Sequence, residues 1–86
     1  MNREETLLLV ITMEECGELI RACSKMLRHN VNSKNLLNLR EEMADVQACV
    51  EILLEEYAAP LGPTFHTERT AMKTLKIAKE LSNARN

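Results

Sequence analysis

Leu8-Leu9-Val10-Ile11-Thr12-Met13-Glu14-Glu15-Cys16-Gly17-Glu18-Leu19-Ile20-Arg21-Ala22 repeats its apolar residues at the helical period, yet it carries carboxylates inside the apolar face. On a helical wheel Glu15 falls within the stripe formed by Leu8, Ile11, Leu19, Ala22 and Met26, and Glu18 lies on its edge. A second segment repeats the anomaly. Glu42 and Asp45 share an arc with Cys49, Ile52 and Leu53, whereas Glu41, Glu51 and Glu55 fall on the polar side beside Arg40 and Gln47. An ionised carboxylate is costly in an apolar seam unless something pairs with it. Like charges three apart also weaken a helix slightly, so helix stability alone does not explain their placement. A divalent cation would remove the cost, and little else in the sequence could. The plainer alternative is a pair of solvated acidic faces.

Working outward, the periodicity predicts three helices and no strand. The first runs from Arg3 to Arg28, with Gly17 as its one interior weak point, and ends at His29-Asn30-Val31-Asn32, where Asn tolerates turn geometry. Asn32 or Ser33 caps the second, which continues to Ala58. Pro60-Leu61-Gly62-Pro63 interrupts the chain. Thr64 or Thr67 caps the third, which reaches Asn83. The first two helices, roughly 37 Å each, joined by a short connection, are expected to form an antiparallel hairpin. The fold class is therefore all-α: a helical hairpin plus a third helix, in one domain over residues 1–86.

The first helix is apolar on a second side as well, through Leu9, Met13, Ile20 and Leu27. A hairpin and one more helix cannot cover both stripes. A homodimer or homotetramer with this helix at its centre is expected, and an 86-residue domain gains core that way.

Composition narrows the function. A net charge of −2 gives no electrostatic reason for binding nucleic-acid polymers or membranes. Tyr57 and Phe65 are the whole aromatic stock, too little for a base-stacking platform. No stretch is long and apolar enough to span a bilayer. The run Leu7 to Ile11 is too short for a signal peptide and follows Glu4 and Glu5. Cys16, Cys23 and Cys49 all fall in helices and read as small buried hydrophobes in a reducing compartment, so a cytoplasmic location is expected.

In an antiparallel hairpin, Glu15 and Glu18 stand at about the height of Glu42 and Asp45, so these carboxylates are expected to converge across one seam. An all-oxygen ligand set suits Mg²⁺ or Mn²⁺. No His follows any of these acids at i+3, as the di-iron bundles require, and Cys and His are wrongly placed for zinc.

Glu14-Glu15-x-x-Glu18, 23 residues, then Glu42-x-x-Asp45 resembles the EExxE…ExxD signature of the MazG-like all-α nucleoside triphosphate pyrophosphohydrolases. The likeness covers residues 5 to 58, with Glu-Cys-Gly-Glu-Leu and Glu-Met-Ala-Asp-Val as local context. It implies hydrolysis of a nucleoside triphosphate between the α and β phosphates, giving the monophosphate and pyrophosphate. It also implies that Glu15, Glu18, Glu42 and Asp45 are Mg²⁺ ligands, and that Glu14 orients the attacking water or supports the ligands. Phosphoribosyl-ATP pyrophosphohydrolases share the superfamily and are the nearest enzymatic alternative. A non-enzymatic helical interaction module and a metal-binding but idle relative are the others.

A triphosphate also calls for cations. Arg69, Lys73 and Lys76 form one stripe on the third helix, with Lys79 nearby. This fits phosphate binding and equally fits an ordinary solvated face. Ala71, Leu75, Ala78 and Leu81, opposite, are expected to pack on the hairpin. Lys25 and Arg28, beyond the acidic cluster, are a second phosphate contact in prospect. With so few aromatics, base recognition is expected from hydrogen bonds, aliphatic contacts or a neighbouring subunit, and Tyr57, Phe65 and His66 fit packing better than base contact.

Overall fold

The computed structural model describes residues 1–85 and is all-helical over them: α1 (Arg3–His29), α2 (Ser33–Tyr57), a 3₁₀ turn (Ala59–Leu61) and α3 (Phe65–Arg85). Asn86, the last residue of the expected domain span, lies outside the described residues. The helix boundaries differ from those expected by one or two residues.

Local chemistry sets each end. Asn2 caps α1: the Glu5 backbone N–H donates to Asn2 Oδ1 (2.8 Å) and the Asn2 backbone N–H to Glu5 Oε1 (3.4 Å), a complete capping box. Such caps contribute about 1 kcal/mol. At the other end Asn30 turns the chain with φ 66° and ψ 171°. Its carbonyl accepts from Asn35 Nδ2 (3.2 Å). The Asn35 backbone N–H donates to Asn32 Oδ1 (2.9 Å), so Asn32 caps α2 as expected. The 3₁₀ turn around Pro60 ends at Gly62, φ 83°.

The Asn30 conformation is close to glycine-only territory and costs a side-chain-bearing residue of order 1–3 kcal/mol. Asn30→Gly is therefore expected to raise stability by about 1 kcal/mol in urea unfolding. A clear loss would mean that the Asn30 side chain contributes more than its backbone strain costs.

Two compact units divide the chain, Met1–Glu55 and a second beginning at Glu56. In the first unit one face of α1 is sheltered: Leu8, Thr12, Glu15, Leu19 and Met26 are part-buried and Ala22 is buried. On α2, Cys49 is buried and Glu42, Val46, Val50 and Leu53 are part-buried. Ala22 and Cys49 are the only buried apolar residues among those described. In the second unit every residue of α3 is exposed, including Ala71, Leu75, Ala78 and Leu81, which periodicity had marked for packing.

The cysteines separate. Cys49 is buried as expected, but Cys16 and Cys23 are exposed. Helical geometry explains the difference, because both sit on the second apolar stripe of α1 rather than on the sheltered one. Most of that stripe stays open in the single chain: Met13, Ile20 and Leu27 are largely exposed, while Leu9 is part-buried.

Candidate metal centre

α1 supplies Glu15 and α2 supplies Glu42 and Asp45. One carboxylate oxygen from each of the three lies within 4.8 Å of the other two. Helical spacing accounts for the meeting. Glu42 and Asp45 are neighbours on α2 at i, i+3, and Glu15 belongs to the sheltered face of α1 between Thr12 and Leu19. Glu15 and Glu42 are part-buried, while Asp45 reaches solvent.

Glu42 is the focus of the site. Its Oε2 is closed off from solvent and has no hydrogen-bond partner. Burial pushes its carboxyl above the ordinary value, and the negative charges of Asp45, Glu18, Glu15 and Glu41 push it further the same way. A carboxylate that is hard to ionise for want of a counter-charge is the group that a cation would relieve. Among the described residues no basic side chain supplies that charge: the one ion pair is between Arg21 and Glu18.

Glu18 stands apart from the three-carboxylate group. Arg21 Nη1 lies 3.4 Å from Glu18 Oε1 and donates to Oε2 at 3.5 Å, with the Arg21 side chain 63% exposed and that of the part-buried Glu18 44%. Exposed pairs of this kind contribute ~0–1 kcal/mol. They break easily, so Glu18 is free to turn toward Glu42, which already feels its charge. The i, i+3 spacing of Glu18 and Arg21 was visible in the sequence and marks this alternative partner. Glu14 is exposed on α1.

The basic candidates are distributed between the units. Lys25 is part-buried on α1, and Arg69, Lys73 and Lys76 are exposed on α3. Arg69 and Lys73 line an open hollow of about 380 Å³ with His66, Thr70, Thr74 and Ile77. All six lie on one face of α3, so the hollow is the groove between their side chains rather than an enclosed pocket.

Against family models, curated proteins and solved structures, the chain has no match. Among the described residues no helix is long and apolar enough to cross a membrane. Three convergent carboxylates, one with an orphaned and enclosed oxygen, fit a hard divalent ion such as Mg²⁺ or Mn²⁺.

Proposed function

We propose that the chain is a Mg²⁺-dependent nucleoside triphosphate pyrophosphohydrolase of the MazG-like kind, cleaving (d)NTPs between the α and β phosphates. The observation that carries the reading is Glu42 Oε2, enclosed, unpartnered and flanked by the Glu15 and Asp45 carboxylates. It is the charge deficit expected where a cation belongs, and it occurs at the residues of the EExxE…ExxD pattern.

In this reading α1 and α2 form an antiparallel hairpin, and subunits assemble as a homodimer or homotetramer that covers the exposed apolar residues of α1. Glu15, Glu42 and Asp45 hold the metal, and Glu18 joins them by exchanging Arg21 for the ion. When bound, the ion offsets phosphate charge and makes a neighbouring water more acidic. Glu14, one residue from Glu15 and exposed, orients water at the rim. Lys25 on α1 and Arg69, Lys73 and Lys76 on α3 bind the phosphates as point charges or forks. No covalent nucleophile is required. Free, exposed thiols at Cys16 and Cys23 suit a reducing cytoplasm.

Pyrophosphate release from a panel of dNTPs, NTPs and phosphoribosyl-ATP, with Mg²⁺ and with EDTA, tests the proposal. Release from a dNTP or NTP with Mg²⁺, abolished by EDTA, is expected. Turnover of phosphoribosyl-ATP alone would name the neighbouring enzyme instead. Silence across the panel would shift the weight to an untested substrate, a metal-binding but idle relative, or a helical interaction module that uses the exposed face of α1.

A further inference from the structure

Asn38, Glu42, Asp45 and Cys49 follow one another at steps of four, three and four, one line along α2. Glu42 and Asp45 belong to the carboxylate cluster and Cys49 is buried, so the line runs along the sheltered face. Asn38 is part-buried and stands about 6 Å along the axis from Glu42, toward the Asn30 and Asn32 turn. Asn is a weak helix former at such an interior position, where an apolar side chain would pack. Several other part-buried polar side chains of the same unit have partners. Glu5 completes the α1 cap, the Thr12 hydroxyl donates to the Leu8 carbonyl (2.8 Å) and Asn35 donates to the Asn30 carbonyl. The Asn38 side chain has no hydrogen-bond partner among the described residues. Nor has Glu42 Oε2, on the next residue of the line.

We propose, resting on the nucleotide reading above, that Asn38 is a substrate-contact residue whose amide N–H donates to a phosphoryl oxygen of the triphosphate, between the carboxylate cluster and Lys25. In the antiparallel hairpin of that reading, the meeting of Glu15 with Glu42 and Asp45 sets Asn38 between the heights of Leu19 and Ala22. Glu18 and Lys25, seven residues apart, share one line on α1. Helix handedness places that line and the line through Asn38 and Asp45 on the same flank of the seam. The charge of Glu18 reaching Glu42 agrees with this placement. Leu19, Leu39, Val46 and Val50 take the opposite flank. Toward the turn, the polar flank therefore passes from carboxylates to an amide to the part-buried Lys25 ammonium.

A neutral amide suits this place. A Lys or Arg four residues before Glu42 would pair with it and compete with a metal ion. A carboxylate would add a further negative charge against both Glu42 and phosphate. An amide offers N–H donors to phosphoryl oxygens and leaves the charge of the cluster for the ion.

The experiment compares the full-length wild type, Asn38→Ala, Asn38→Asp and Asn35→Ala. Each is titrated calorimetrically with Mn²⁺ alone and with inorganic pyrophosphate in Mg²⁺, and melted in EDTA. Asn38→Ala loses no partner within the chain and gains helix propensity, so it should melt no lower than wild type. It should bind Mn²⁺ within about twofold of wild type and pyrophosphate about tenfold or more weakly, the loss of one hydrogen bond to a charged group. Asn38→Asp should bind Mn²⁺ no worse and pyrophosphate more weakly still. Asn35→Ala breaks the bond to the Asn30 carbonyl, so it should melt lower and keep its pyrophosphate affinity. An Asn38→Ala protein that melts below wild type or loses Mn²⁺ affinity would overturn the proposal alone, as would wild-type pyrophosphate affinity in either Asn38 variant. A wild type that binds no pyrophosphate in Mg²⁺ would overturn it together with the nucleotide reading. Weakened pyrophosphate binding in both Asn38 variants, without turnover of any nucleotide by wild type, would uphold the contact and overturn only the enzymatic reading.

Discussion

Glu42→Gln is expected to abolish turnover and to make the metal-free protein more stable. The two effects have one cause. Glu42 carries an enclosed oxygen without a partner, and the surrounding negative charges oppose its ionisation. An amide keeps the shape, removes the charge and loses the ligand. Outer-sphere partners of a metal cost about 10- to 100-fold when removed, so loss of a ligand should exceed a hundredfold. Asp45→Asn and Glu15→Gln should lose turnover in the same way, with a smaller gain in metal-free stability at the exposed Asp45. Glu41→Gln, on the solvated side of α2, should do little to turnover. Steady-state kinetics and thermal melts in EDTA read both effects. A Glu42→Gln protein that retains activity, or that melts earlier than wild type without metal, would contradict the role given to this residue.

The second large effect is a reversal of pH dependence on adding metal. In the metal-free fold the Glu42 carboxyl titrates above its ordinary value of 4.5. The folded chain therefore holds a proton at pH values where the unfolded chain has released it. By linkage, this group's contribution to stability is fully present below 4.5 and is lost as pH rises through the raised folded value. Metal binding runs the other way, because the ligands must be deprotonated, so the stabilisation by Mg²⁺ or Mn²⁺ grows as pH rises. Melting temperature across pH 5 to about 8, compared between wild type and Glu42→Gln, isolates the group from the other carboxylates. The metal-free difference should widen in favour of the mutant with rising pH, and saturating Mn²⁺ should invert it. A flat difference in both conditions would remove Glu42 from the metal account.

The sequence carried much of the architecture because local rules set it. The Asn30 and Asn32 turn, the Pro60 interruption and the helical period of α1 and α2 are short-range signals, and the three-carboxylate cluster follows from helix faces once α1 and α2 share one unit. What could not be read locally was which of two apolar faces of α1 is covered within the chain. Cys16 and Cys23 look as greasy on a wheel as Ala22, yet only Ala22 is sheltered. The surroundings of α3 belong to the same problem. Leu75 and Leu81 have helical spacing, but spacing does not name the surface that covers them. Glu18 shows the limit on the polar side, since its position suits a metal ligand and an Arg21 ion pair alike.

The most direct measurement is ³¹P NMR of a dNTP incubated with the protein and Mg²⁺. Loss of the triphosphate signals with equal gain of nucleoside monophosphate and pyrophosphate is expected, absent with EDTA and in Glu42→Gln. Appearance of the diphosphate with orthophosphate would mean cleavage at the β–γ bond and would contradict the proposed reaction. An unchanged spectrum across the nucleotide panel would contradict the proposal that the carboxylate centre serves nucleotide hydrolysis.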